Sequence, residues 1–165
     1  MEPKIKSILF AAGLGPNTGH ILDHALSLAR KYQAKIHVVH GLDLENFSAQ
    51  STAELYQSNL VLEDAIEKAL QERESHIRGQ LQSICHERLK KLEAAEDLIA
   101  GLDIERKPAK QAILEAADLY RADLIVMGAK RQAGLGNAGL GSTTLKVLNR
   151  ATVPVFVVKV AAGRA

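Results

Sequence analysis

Four short aliphatic runs punctuate the chain: "IKSILFAA" (5–12), "KIHVVHGL" (35–42), "ADLIVMG" (122–128) and "VPVFVVKV" (153–160). Runs of this length, apolar at successive positions, belong to strands covered on both faces. Between the first two lies "NTGHILDHALSLARKYQ", where Ile21, Leu22, Ala25, Leu28 and Ala29 return at helical intervals and Asn17 or Thr18 is available as a cap. The polar linker "DLENFSAQST" then leads into a charged stretch from about residue 53 to 100. Its Val61, Ala65, Ala69, Ile77, Leu81, Ile84, Leu89 and Leu92 mostly keep a three- or four-residue step. That spacing predicts a long amphipathic helix or helix pair, with Gly79 as a weak point. "GLDIERK" (101–107) reads as a short third strand, and Pro108 opens a helix over "AKQAILEAADLYR". "STTLKVLNRA" supplies a last helix before the final run.

The order β-α-β-α-β-α-β-α-β predicts an α/β fold, a single domain over residues 1–165. It is built on an open parallel five-stranded sheet with helices on both faces. Ligands of such sheets bind beyond the carboxyl ends of the strands, where the strand order reverses. Two glycine-bearing loops follow strand ends, "GLGPNTG" after the first strand and "GAKRQAGLG" after the fourth. If those strands are neighbours, both loops face one crevice.

Composition narrows the classes of function. Aromatic residues make up 4% of the chain with no Trp, a poor supply for stacking single-stranded nucleic acid. Lys and Arg outnumber Asp and Glu by 21 to 19 and gather into no strip, so no nucleic-acid partner is expected. The single Cys85 excludes an internal disulfide and suits a reducing compartment. Near the start, the apolar run Ile8–Ala12 is too short for a signal-peptide core or a membrane span. A cytoplasmic protein without a membrane segment is expected.

"GAKRQAGLGNAGLGSTT" (128–144) concentrates five of the twelve glycines. Its "GLGNAG" spells G-x-G-x-x-G, but it begins six residues beyond Gly128 on the fourth strand, whereas a dinucleotide fingerprint opens directly after the first. "GNAGLGST" has the glycine spacing of a phosphate loop, yet Ser142 stands where that loop needs its lysine. Both motifs fail. Gly141, Ser142 and Thr143 nevertheless stand where the last helix begins, so unpaired N–H groups, hydroxyls and the positive end of the helix dipole would favour an anion. Ser142 acting only as a helix cap beside a tight glycine loop explains the same residues.

Taken over nearly its whole length, the chain resembles the universal stress protein family. The segments that carry the resemblance are "KSILFAAGLGPNTGHILDHALSLARKYQAKIHVVHGLD" and "ADLIVMGAKRQAGLGNAGLGSTTLKVLNRATVPVFVVK". The family's nucleotide motif reads G-x-x-G, nine residues, then G-[ST]. Gly128 and Gly141-Ser142 stand at that separation here, with Arg131 in place of the second glycine. The resemblance implies a Rossmann-like fold of the adenine nucleotide alpha hydrolase-like type. It implies binding of ATP or AMP, with or without Mg, and action in stress response by binding rather than turnover. Slow ATP hydrolysis or autophosphorylation occurs in some members. The phosphates would lie on Gly128, Arg131, the 134–141 loop with Gly139 and Gly141, Ser142 and Thr143, and the adenosine near Ala12, Gly13 and Gly41.

Nucleotide-binding members usually carry an aspartate where this chain has Gly13 and an aliphatic residue where it has Gly41. These changes remove a carboxylate and an apolar wall, and are expected to widen the crevice. Arg131 either blocks the pocket or forks onto a phosphate. The alternative is a member without nucleotide, working as a dimeric interaction module. In either case the family implies a homodimer through Val153 to Val158, an apolar run that would be a hazard on an open sheet edge.

Catalytic groups are sparse. His20 and His24 are four apart and could share a helix face, but no third metal ligand is evident. His37 and His40 fall on opposite faces of their strand, with His40 toward the carboxyl end. Asp43 is the one carboxylate expected near the crevice, too few for an acid–base pair, while Asp123 lies at the far end of the sheet. Cys85 is expected to be buried and structural.

Overall fold

Ile8, Leu9 and Phe10 are consecutive, and all three are shielded from solvent. In a strand this requires cover on both faces. The computed structural model describes residues 2–45, 47, 62–129 and 140–160. Its elements are β1 (Ser7–Ala11), α1 (Thr18–Tyr32), β2 (Lys35–Gly41), α2 (Leu62–Leu89), β3 (Ile99–Glu105), α3 (Ala109–Leu119), β4 (Leu124–Gly128), α4 (Ser142–Arg150) and β5 (Val155–Val158). All pairings are parallel, in the order β3-β2-β1-β4-β5. The five-stranded parallel sheet is therefore as the alternation predicts, and the first and fourth strands are neighbours.

Alternation along each strand sorts the core into two layers. Ile8, Phe10, Ile36, Val38 and Val126 pack under Leu22, Leu26 and Ala29 of α1 and Ile77 and Leu81 of α2. Leu9, Val39, Ile125 and Met127 pack under Ile113 and Ala116 of α3 and Val147 of α4. The period of two in the strands meets the 3.6-residue period of the helices from either side.

Three details depart from the sequence reading. The third strand begins at Ile99 and ends at Glu105, earlier than 101–107. Gly101, expected as its first residue, is its third, and a side chain there would meet only His37 Nδ1, at 3.8 Å. The described part of the long helix ends at Leu89, and the chain then turns, with Ala94 in the left-handed region at φ 53°. The helix also runs unbroken through Gly79, beside which a Cβ would meet nothing within 4 Å.

Ion pairs fasten α2 over the β3 side of the sheet. Arg106 donates to both oxygens of Glu67 at 2.8 and 2.9 Å, and its Nε to Glu74 at 2.5 Å. Arg78 donates to the Leu102 carbonyl at 2.8 Å, which occupies an acceptor on the outer strand. On the opposite face Tyr120 stacks on His37, centroids 4.0 Å apart, and gives its hydroxyl proton to Asp103.

At Gly41 a Cβ would lie 2.6 Å from Ala109 Cα and 2.9 Å from the Lys107 carbonyl oxygen, both backbone atoms that cannot swing aside. Gly41→Val should therefore cost about 1–3 kcal/mol in urea unfolding. Gly13→Ala, with nothing within 4 Å, should stay within about 0.5 kcal/mol of wild type. Cys85 is buried as expected, and burial pushes its thiol up to about 11. A thiol reagent at neutral pH should label the folded protein slowly and the urea-unfolded protein at once.

Candidate functional site

The pairing of Phe10 with Val126 and Ala11 with Met127 sets the carboxyl ends of β1 and β4 side by side. The sheet continues to β2 and β3 on one side and to β5 on the other, so this is its switch point. From it α1 departs over one face and α4 over the other, and both present their amino ends to the same crevice.

The β1–α1 loop is held by its own backbone. The Ala12 N–H donates to Val39 O at 2.9 Å, and the Ala12 carbonyl lies 2.8 Å from His40 Nδ1. A carbonyl can only accept, so Nδ1 carries the proton and Nε2 the lone pair. Burial holds His40 below the usual histidine range despite that bond, and Arg73 adds to the effect, so the ring is neutral at pH 7. Thr18, buried, sets its hydroxyl within reach of the Gly13 and Gly15 carbonyls at 2.9 and 2.8 Å. Asn17 occupies the cap position of α1 without a side-chain hydrogen bond, so the threonine serves the loop instead.

On the other side of the crevice, Gly141 caps α4 and Ser142 is the first helical residue, exposed and making no capping bond. The reading of Ser142 as a cap is thus set aside. Leu145 is the first residue of the helix whose N–H finds a carbonyl, Gly141 O at 3.1 Å. The N–H groups of Ser142, Thr143 and Thr144 precede it and have no intrahelical acceptor. No acidic side chain in the first turn offsets the positive end of the dipole. Thr144, fully buried, donates to the Gly128 carbonyl at 3.3 Å and ties the start of α4 to the end of β4.

Of the residues expected at the site, Ala12, Gly13, Gly128, Gly141, Ser142 and Thr143 come to this end of the sheet. Arg131 and Gly139 lie outside the described residues. Gly41 ends β2 nearby, but the expected widening does not occur there, because the backbone of the α3 entry fills the space a side chain would take. Thr144 went unnoticed in the sequence, and Thr18 was read only as an available cap. Helical spacing from Val147 places Thr144 inward, and that was the available signal.

The other candidates fall elsewhere. His20 and His24 do share a face of α1, edge to face at 5.0 Å. Asp23 between them is paired with Arg88 at 3.0 Å. No group of three or more His, Cys, Asp or Glu able to hold a metal occurs among the described residues. His37 and His40 take opposite faces, one on Tyr120 and the other on Ala12. Asp123 accepts from the N–H groups of Lys6 and Ser7 at the far end of the sheet, where it is structural. Asp43 accepts from the Glu45 N–H at 3.1 Å. No described helix is long and apolar enough to cross a membrane.

Known proteins share this architecture. Universal stress protein A homolog 2 of Coxiella burnetii is 27% identical over 156 residues, covering 94% of this chain and 95% of its own. The Thermus aquaticus universal stress protein encoded in the QAH/OAS sulfhydrylase 3′ region is 31% identical over 137 residues, 83% of this chain and 91% of that one. Among solved structures, the hypothetical protein MJ0577 superposes with a TM-score of 0.74 at 19% identity, covering 97% of this chain and 99% of that one. A universal stress protein in complex with cAMP gives 0.58 at 18% identity, covering 94% and 98%. The Archaeoglobus fulgidus protein in complex with dAMP gives 0.53 at 16%, covering 94% and 98%. At these identities the superpositions establish the fold. The model of the universal stress protein family matches residues 4–159, almost the entire chain, and the chain belongs to that family.

Proposed function

We propose that the chain is a cytoplasmic universal stress protein that binds an adenine nucleotide, ATP or AMP with or without Mg, and acts by binding rather than turnover. One observation carries the reading. The uncompensated amino end of α4, opened by Gly141, Ser142 and Thr143, faces the switch-point crevice and is fastened to Gly128 by Thr144. Complexes of structural neighbours with cAMP and dAMP favour an adenine nucleotide as the anion. The phosphates would then meet Gly128, Ser142 and Thr143 together with the 134–141 loop, Gly139 and Arg131, and the adenosine would lie over Ala12 and Gly13. The Ala12 N–H and carbonyl are already engaged, so that residue contributes its methyl group. Catalysis finds little support. His40 is neutral and its Nδ1–H is engaged by Ala12, and the crevice gathers no carboxylate pair among the described residues.

A second reading, a dimeric interaction module without nucleotide, is favoured by the adenosine end, where Gly13 supplies no carboxylate. Either reading includes a homodimer through β5. Phe156 is 39% exposed beside that edge, with His24 at 6.0 Å on the α1 face. Leu145 and Leu148 of α4 are 47% and 40% exposed on the other face. Pairing β5 with its twin would cover this apolar surface and the open backbone together.

Calorimetric titration with ATP and AMP tests the first reading. Wild type should bind, and Ser142→Ala should weaken binding about three- to tenfold. No heat from wild type, with binding restored by Arg131→Gly, would sink nucleotide binding for this chain and leave the interaction module. Sedimentation at micromolar concentration should show a dimer that Phe156→Lys dissociates, and a wild-type monomer would remove the β5 interface.

A further inference from the structure

At the opposite end of the sheet, where the strands begin, α3 and α4 leave a hollow of about 330 Å³. Its floor is apolar: Ala117, Ala122 and Ile125 are buried, and Leu114 and Val153 complete the wall. Its polar lining includes Asp118 from the last turn of α3, Arg121 just beyond that helix, and Arg150 at the end of α4. Among the described residues no carboxylate lies within ion-pair distance of either guanidinium, Asp118 included. Arg121 also holds a left-handed backbone, φ 47°, at a place where glycine would avoid the strain. Two forked, solvent-exposed donors thus border an apolar floor, with no carboxylate of the described residues at ion-pair distance.

The charges near the hollow also limit what can occupy it. The carboxyl ends of α3 and α4 each bring partial negative charge, and Asp118 brings a full one. Together they offset most of the two guanidinium charges, so a bare anion gains little. A molecule that buries apolar surface as well gains on both counts, since each buried methylene contributes and a carboxylate matches the guanidinium fork. The volume is near the lower end of small-molecule sites, roughly 300–1,000 Å³.

We propose that this hollow is a binding site for a small amphipathic organic anion, a short acyl or aryl carboxylate, with its apolar part on Ala117, Ala122 and Ile125 and its carboxylate between Arg121 and Arg150. The site is separate from the switch-point crevice and stands whether or not a nucleotide binds there.

The test is a titration of ¹⁵N-labelled full-length protein with octanoate, octanol and inorganic phosphate, followed by amide chemical shifts. Octanoate should move Ala122, Ile125 and Val153 saturably and leave Gly128 and Gly141 in place. Phosphate should leave Ala122 and Ile125 unmoved. Arg150→Gln and Arg121→Gly should each weaken octanoate binding about tenfold. The glycine variant relaxes the turn, so its loss cannot be ascribed to unfolding, and Asp118→Asn should bind more tightly. Absence of a saturable shift at Ala122 and Ile125 would overturn the proposal, as would octanol binding as well as octanoate. So would phosphate moving the same amides, unchanged affinity in both arginine variants, or weaker binding in Asp118→Asn.

Discussion

Everything in this molecule hangs on the position of β1 between β2 and β4. A strand with parallel partners on both edges and helices on both faces is sealed from water along its middle, and Ile8 and Leu9 are accordingly inaccessible. The same position makes β1 the place where strand order reverses. The chain returns over one face through α1 and α2 and over the other through α3 and α4, so the loops after β1 and β4 must diverge from a common point. The crevice is the space that this divergence leaves.

Two threonines give that space its edges. Thr18 and Thr144 are the buried polar side chains among the described residues, and each turns its hydroxyl to a carbonyl at or just beyond a strand end. A β-branched residue has few rotamers to lose in a helix, so the hydroxyl is held at little entropic cost. Each bond is worth about 0.5–1.5 kcal/mol net, modest for stability but sufficient to fix where a helix begins. The α4 end of the crevice, where the proposed anion would lie, is thereby fixed without a lysine. Its donors are main-chain groups of α4, and their direction follows from the helix itself.

Much of this was legible in the sequence, for reasons that differ by element. Doubly buried strands announce themselves by unbroken aliphatic runs, so β1, β2 and β4 were plain; β5, an edge strand, keeps such a run, whereas β3, on the other edge, carries Gly101 and Asp103 and lost its true start. Neighbouring β1 and β4 depends on long-range pairing that no local pattern records, and it remained a condition until the register was seen. Gly41 was read as a gap in a wall. Sequence spacing gives the face of a strand but not what lies against it, and here the α3 entry does. Thr144 was overlooked beside Ser142 because a motif directs attention to its own positions, while the inward face of α4 follows from Val147.

The two edges of the sheet are treated differently. On the β3 side α2 lies fastened across the margin, with Arg106 spanning Glu67 and Glu74 and Arg78 occupying the Leu102 carbonyl. On the β5 side apolar residues flank the margin from both faces, with no comparable clamp among the described residues. The proposed β5 homodimer would give the sheet a valence of one. A strand added there would use the β5 margin of both copies at once, with the β3 margins already crossed by α2. A sheet with two such margins would polymerise; the proposed pair would close.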